Sequence, residues 1–579
     1  MRTIADFTEV VLCDFEYHHE GLREGPPIPL CACALEWRSG RQYRLWTEEL
    51  GRREPPWAHG RDVLFVSYNA PAELGCYLRL SWPLPEFILD LNIEYRQLVN
   101  GILPKHHRRE LLNAMLYCGL SGIEAMEKAE WHKLILTAGP FSPEQQGGIL
   151  AYCWSDVAAL QALLPAMLTR IPQDLDRALF RGRYTLAAAH SMQVGIPIDT
   201  VAWDQILRHR ESIQQAIAAD CPCFDGTVFK HERFAALLGD LNLQNSWPRT
   251  ETNRLRTDDE CLKDYARIPE IETLRQILQA IRQLRKPSFQ VFEGRNYYSI
   301  LPFQAETSRN STRGCIYQGP SWLRGLIQSP PDRGMADIDF EQEEFYIIAV
   351  LSGDVAAQKD YETGDVYTRL GILAGTMPAG ATEETHPKER ATAKTLMIAL
   401  LYGMAAPSLA SKLGVSLNRA KDVLKTIRSR YRKLQEWSDY QVSTSRQTGR
   451  IETTFGWALA VNHGTKSGTL RNYKVQGCGA EIMRLAHSFL YEAGIQVCAP
   501  VHDAFLIECS ATDLEDVVQE ARRQMERASE IVLQGRRIRT KAHKLHPADR
   551  LIKKRGKDMW RRVINITNRL ESDTSRKIA

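Results

Sequence analysis

The apolar positions change their period several times along the chain. "EVVLCDFE" (9–16) and "DVLFVSYNAP" (62–71) are short, nearly continuous apolar runs, the second closed by Asn and Pro, and both predict strands. In "RRELLNAMLYCGL" (108–120) and "GGILAYCWSDVAALQALLPAML" (147–168) the apolar residues recur at helical spacing. Strands followed by helices predict an α/β domain over residues 1–172, with Pro172 at its boundary. From 173 to 300 the pattern is helical and basic, as in "ETLRQILQAIRQLRKPS" (272–288). "GMADIDFEQEEFYIIAVLSGD" (334–354) predicts a strand ending at Asp339 and then a helix closed by Gly353. Helical spacing returns over 356–440. Beyond it come strand-like "RIETTFGWALAV" (450–461), a helix at 479–494, and two strand-like runs flanking His502-Asp503 in "IQVCAPVHDAFLIECS" (495–510). The tail "RLIKKRGKDMWRRVINITNRL" (550–570) is basic and predicted helical, either facing DNA or simply solvated. There is no internal repeat and no low-complexity segment.

Composition changes this picture only at its edges. A chain of 579 residues is too long for one core and implies about three or four domains or subdomains. A net charge of +4 means that any nucleic-acid binding rests on local basic surfaces. Thirteen cysteines, an odd number with no C-x-x-C pair, argue against a disulfide framework or a structural zinc and suit a reducing cytosol. The N-terminal residues lack an apolar signal core, and no apolar run approaches the roughly 18–20 residues of a membrane span. The expectation is a soluble, cytoplasmic protein without membrane contact.

Candidate chemistry lies in the acids. Asp339 closes one strand and Asp503 sits between two others. If they converge, two carboxylates repel and raise each other's pKa, a conflict that a divalent cation resolves. Two Mg²⁺ ions about 3.5–4 Å apart activate one oxygen and stabilise another in phosphoryl transfer. Mg²⁺ takes carboxylates plus substrate phosphates, so few protein ligands suffice. In "ERATAKTLMIALLYG" (389–403), Arg390, Lys394, Ile398 and Tyr402 recur every fourth residue and share one helix face. That face suits a triphosphate at its cationic end and a base at its flat end, although an ordinary amphipathic helix has the same pattern. Near the N-terminus, Asp14 and Glu16 are alternate strand residues on one face, and Tyr152 and Asp156 share a helix face at i, i+4. "SYNAPAE" adds Asn69 and Glu73. Singly, each of these is what a solvated surface carries.

Taken together and in order, these segments resemble the family A DNA polymerases, the DNA polymerase I type. "TSRNS" (307–311) is similar to the family's T-G-R-x-S. "DFEQEEFY" (339–346) is similar to motif A, D-Y-S-Q-I-E-L-R. "RATAKTLMIALLYG" (390–403) is similar to motif B, "RNYKVQGCGAEIMR" (471–484) to the segment before motif C, and "VHDA" (501–504) to motif C, V-H-D-E. The matches span roughly 300–510, and "WLRGLI" and "VCAPVHDA" look most like the shorter phage and plasmid branch. The resemblance implies that Asp339 and Asp503 ligate two Mg²⁺ ions per site, with Mn²⁺ as a substitute, and that His502 lies by the primer terminus. It implies that Arg390 and Lys394 grip the incoming dNTP, with Lys394 acting in catalysis. Ile398, Tyr402, Gln342 and Glu344 would surround the incoming nucleotide, with Glu344 under the sugar and Glu341 and Glu343 as solvated helix acids. Arg309, Asn472 and Gln476 would read the minor groove of primer–template DNA by its shape. Three departures from the pattern matter: Ile398 for Phe or Tyr, Ala504 for Glu, and Tyr346 for Arg.

The N-terminal acids resemble a DEDDy 3′–5′ exonuclease, with patterns D-x-E, N-x-x-x-D and Y-x-x-x-D. Asp14, Glu16, Glu73 and Asp156 would then hold metal and Tyr152 would orient the attacking water. Glu73 stands where the family has Asp, with Asp90 of "FILDLN" a weaker stand-in. The implied architecture is an RNase H-like exonuclease domain (1–172) followed by a right-hand polymerase. Its parts would be thumb 173–300, first palm part 301–355, fingers 356–440, and second palm part with the tail 441–579. The expected function is template-directed DNA synthesis with proofreading, beside the nucleoid of a prokaryotic or phage-infected cell. An inert exonuclease scaffold, or a nuclease with a decayed polymerase half, remain as alternatives. Too few residues precede Asp14 for a 5′-nuclease domain, so that activity is not expected of this chain. No accessory replication protein is implied.

Overall fold

The computed structural model describes residues 2–578 apart from 20–24, 105–106, 122–124, 173–174 and 267. The side chains of 125–129, 395, 398–402, 575 and 577–578 also lie outside the described residues. The chain divides into two compact units. One is Met1–Gly195 with Tyr298–Arg313 and Ala336–Lys544; the other is Ile196–Tyr297 with Gly314–Met335 and Leu545–Ala579.

The first unit begins with five strands: β1 (Glu9–His18), β2 (Ile28–Glu36), β3 (Gln42–Trp46), β4 (Val63–Ser67) and β5 (Phe87–Asp90). They form one mixed sheet in the order β3-β2-β1-β4-β5, with β1 antiparallel to β2 and parallel to β4. The run in β1 is continuously apolar because both faces of the strand are covered. Val10 and Leu12 pack in a core with Cys153, Val157 and Leu160 of the helix Pro143–Leu168. Val11, Cys13 and Phe15 pack on the other face with Leu74 and Tyr77 of the helix Ala70–Leu80. Gly182, on the helix Asp176–Val194, is obligatory: a Cβ there would lie 1.9 Å from the Ile88 carbonyl oxygen of β5. That helix belongs to this unit, which runs past the expected thumb start at 173 as far as Gly195. The helix Pro143–Leu168 corrects an expectation. It is 26 residues long and, by length and composition, apolar enough to cross a membrane. Ile149, Cys153, Val157, Leu160, Leu163 and Leu164 are buried against the sheet, which accounts for that apolarity.

The same unit holds a four-stranded sheet in the order Gln496–Val501, Ala504–Ser510, Arg333–Phe340, Thr540–Leu545. The first two strands form a hairpin whose connection is His502-Asp503 alone. The 26-residue helix Ser467–Glu492 is buried along most of its length and packs beside this hairpin and the helix Leu514–Val532. The helix Glu343–Leu351 follows the strand Arg333–Phe340, and Val366–Leu373 packs on Pro387–Tyr402.

His487, on the long helix, is fully buried, and its Nε2 lies 2.8 Å from the Ser191 hydroxyl. Burial pushes its imidazole down from 6.5 to about 3. The unfolded chain therefore takes a proton there as pH falls below 6.5 while the folded chain does not, so this stability is present above 6.5 and is lost towards 3. His487→Gln is expected to flatten the acid limb by about 3 kcal/mol between pH 7 and 4, measured by urea unfolding. An unchanged difference between wild type and variant at the two pH values contradicts this.

In the second unit, Ile196–Pro197, Arg295–Tyr297 and Gln290–Phe292 form a small sheet beside helices that include Pro269–Arg285. The basic tail forms the helix Lys557–Ile578, which packs on Thr200–Arg208 and Arg210–Ala218 through buried Met559, Trp560 and Val563. Trp560 presses on Gly325, where a Cβ would lie 2.3 Å from the indole. Residues 545–579, expected with the second palm part, group here instead. One side of the tail helix is thus core, and exposed Arg561 and Arg569 lie on the other.

Candidate active site

The strand Arg333–Phe340 delivers Asp339, and the hairpin turn delivers Asp503. The Phe340 amide donates to the Asp503 carbonyl at 3.0 Å, which fixes the two acids side by side. Burial, then the Asp503 carboxylate, push the Asp339 carboxyl up to about 6, while Lys541 and Lys394 pull against them. Burial raises Asp503 as well, opposed by His502, Lys394 and Arg309. His502, which is exposed, takes φ +58°, and Gln342, which starts the helix Glu343–Leu351, takes φ +56°. Left-handed non-glycine residues on both sides of one acid pair mark strain of order 1–3 kcal/mol each that the surroundings must impose. The Gln342 side chain accepts the Val366 amide at 2.9 Å, tying the strand end to the next helix.

Glu344 and Arg309 face each other at 2.9 Å, each about one-third exposed. Glu341 pairs with Arg539 at 3.4 Å and is partly solvated. Glu343 differs from expectation: it is 4% exposed, and its Oε1 has no hydrogen-bond partner among the described residues. Burial, then Asp503, push its carboxyl up to about 8, with Arg309 opposing. Room for it comes from Gly479, where a Cβ would lie 3.1–3.4 Å from the Glu343 carboxylate.

On the helix Pro387–Tyr402, Arg390 holds Asp365 in a two-pronged pair at 2.7 and 2.8 Å and reaches Glu383 at 3.3 Å. Lys394, one turn on, is exposed. Both cations flank the Tyr367 ring, at 5.1 and 5.7 Å from its centroid. Burial, Asp503 and Glu344 hold the Tyr367 hydroxyl up near 12 against Arg390. Tyr367 is a site residue that no spacing in the sequence singles out. The side chains of Ile398 and Tyr402 lie outside the described residues.

Asn472 is buried, and both atoms of its amide lack partners among the described residues. With Gln476 and Thr307 it lines a cavity of 660 Å³ that Arg96, His107, Arg108 and Arg109 line from the N-terminal part of the unit.

The second acid cluster lies on the first sheet. Period two puts Asp14 and Glu16 on the face covered by the helix Pro143–Leu168, which presents Asp156. One carboxylate oxygen from each of the three lies within 4.8 Å of the others. Glu73, in the first turn of Ala70–Leu80, is buried, and burial followed by Asp14, Glu16, Asp90 and Asp156 pushes its carboxyl well up. Tyr152 is raised by burial and then by Glu16 and Asp156, so it faces the same cluster. Asp90 is otherwise engaged. Its oxygens accept from the amides of Asn69, Ala70, Asn92 and Ile93 at 2.8–3.2 Å, capping two helices. It is therefore not a stand-in for Glu73.

Residues 318–541 match the model of DNA polymerase family A. DNA polymerase I of Aquifex aeolicus is 26% identical over 308 residues, covering 49% of this chain and 52% of the relative. The DNA polymerase of Mycobacterium phage L5 is 27% identical over 284 residues, covering 46% of this chain and 45% of the relative. The chain spans about half the length of these curated relatives. Among solved structures, the POL domain of Pol1 from M. smegmatis, in complex with DNA primer-template and dNTP, matches with a TM-score of 0.71 at 16% identity. That match covers 92% of this chain and 95% of the other, and at this identity it is a likeness of fold.

Proposed function

Because residues 318–541 match the model of DNA polymerase family A, we propose that the chain extends a primer on a DNA template with dNTPs and trims the primer 3′ end in its N-terminal domain. The observation that carries the synthetic half is the register of Asp339 beside Asp503, with Lys394 and Arg390 acting on the same space. The acids fit a divalent cation: both carboxyls are raised by burial, Asp339 also by its neighbour, and a dication relieves that conflict. Asp339 and Asp503 would hold Mg²⁺ or Mn²⁺, which when bound neutralises charge building on the transferring phosphoryl group.

The chain's own residues do the rest. Lys394 is exposed and meets the triphosphate as a point charge. Arg390 now holds Asp365 and Glu383, so the triphosphate exchanges one set of anions for another and gains a pre-oriented fork. The Tyr367 ring packs against both cations. The unpartnered Asn472 amide, with Gln476 and Arg309, offers donors to minor-groove acceptors, which are nearly independent of sequence. In the N-terminal domain, Asp14, Glu16, Glu73 and Asp156 would hold the cations and Tyr152 would orient water; the buried Glu73 beside three acids supports its taking the place of the usual Asp.

The experiment is one denaturing gel of a labelled primer–template with Mg²⁺, with and without dNTPs. Lengthening with dNTPs and shortening without them are expected. Shortening alone overturns the polymerase reading, and lengthening alone overturns the exonuclease reading.

Glu344 is proposed to exclude ribose. Arg309 holds its carboxylate in place, and a side chain packed against C2′ leaves no room for a hydroxyl. Overpacking costs about 1–3 kcal/mol, so Glu344→Ala is expected to relax sugar discrimination roughly 5- to 160-fold. Glu344→Gln, of equal volume, is expected to retain most of it. Single-turnover insertion of a ribo- and a deoxynucleotide opposite one template base decides. An alanine variant with wild-type preference removes Glu344 from the role.

A further inference from the structure

Two departures from the family pattern lie on neighbouring elements and have opposite signs. Position 343 is acidic where motif A has Ile, and position 504 is Ala where motif C has Glu. The strand pairing brings the two elements together, since the Phe340 amide bonds to the Asp503 carbonyl and Glu343 begins the helix that follows. Glu343 is 4% exposed, and its Oε1 finds no hydrogen-bond donor among the described residues. Asp503 is the strongest charge acting on it, ahead of Arg309 and Glu344. The long helix supplies Gly479 beside it, where any side chain would crowd its carboxylate. A buried acid with an unsatisfied oxygen and no salt bridge among the described residues is a standing cost to folding, and Ile in its place would remove that cost. Such a group persists where a ligand completes it.

We propose that Glu343 is the third carboxylate of the palm site, supplied from the helix after the Asp339 strand because the hairpin position beside Asp503 is Ala504. The inference rests on the reading of Asp339 and Asp503 as holders of divalent cations. Its ligand is that cation, reached through water, and the acid supplies beside Asp503 the negative charge that Ala504 does not.

The test uses four variants of the full chain: Glu343→Ile, Glu343→Gln, Ala504→Glu, and Glu343→Ile combined with Ala504→Glu. All are made in a chain that also carries Asp14→Ala and Glu16→Ala, so that the N-terminal acid cluster does not contribute; Mn²⁺ binding to the protein–primer-template complex is followed by electron paramagnetic resonance, and extension rate is followed against Mg²⁺ concentration. Loss of an outer-sphere partner typically weakens a metal site about 10–100-fold, and that is the expected weakening for Glu343→Ile and Glu343→Gln. Glu343→Ile is expected to unfold at the same temperature as wild type or higher. The combined variant is expected to regain Mn²⁺ affinity, because the acid has only changed sides. Wild-type Mn²⁺ affinity and Mg²⁺ dependence in either single variant at 343 overturns the inference. The Gln variant, nearly isosteric, decides the matter if the Ile variant does not fold. Asp503→Asn separates the two levels: if it also binds Mn²⁺ normally, the metal reading itself has failed, whereas if it alone loses Mn²⁺, only the role of Glu343 has.

Discussion

Asp503→Asn is expected to reduce primer extension by on the order of 10³-fold or more while leaving the chain folded. A metal-bound phosphoryl oxygen is worth several kcal/mol of transition-state stabilisation, and each 1.36 kcal/mol is tenfold in rate. An amide is a far poorer ligand for Mg²⁺ than a carboxylate. Asp503 is half-buried beside Asp339, with both carboxyls raised, so without metal the folded chain carries two repelling charges. The Asn variant loses one of them. It is expected to be as stable as wild type or more so without divalent ions, and to gain less stability when Mg²⁺ is added, because ligand binding stabilises only the state that binds it. Thermal unfolding with and without Mg²⁺ therefore provides a readout independent of activity. Extension within tenfold of wild type, or an equal Mg²⁺ shift, removes Asp503 from the site.

Asp14→Ala combined with Glu16→Ala is expected to abolish 3′ trimming, again by on the order of 10³-fold, and to leave extension within about twofold. The two acids share a strand face with Asp156 within 4.8 Å, and Glu73 lies buried among them. They and the palm pair sit on separate sheets of the chain. The measurement is loss of nucleotides from a mismatched primer terminus in Mg²⁺ without dNTPs. A variant that trims normally disproves the cluster's role. A wild type that does not trim makes the domain a scaffold, with Glu73 in place of Asp the first residue to revert.

Part of each site was legible in the sequence because local periods made it so. Alternation placed Asp14 and Glu16 on one strand face, and a four-residue step placed Arg390 and Lys394 on one helix face. These statements depend on a few consecutive dihedral angles, which neighbouring residues largely set. The α/β class and the hairpin at His502-Asp503 were readable for the same reason. What the sequence could not decide depends on distant chain. Asp90 looks like a spare ligand until its oxygens are seen capping two helix starts. The tail looks like a DNA-facing or solvated basic helix until Trp560 is seen against Gly325. Tyr367 has no periodic mark, and only packing sets its ring against Arg390 and Lys394. Glu343 and Glu344 are chemically alike neighbours, yet one pairs with Arg309 while the other is buried against Gly479. Adjacent helix positions differ by about 100° in direction, so which carboxylate meets solvent and which meets the core is decided by what packs on each side.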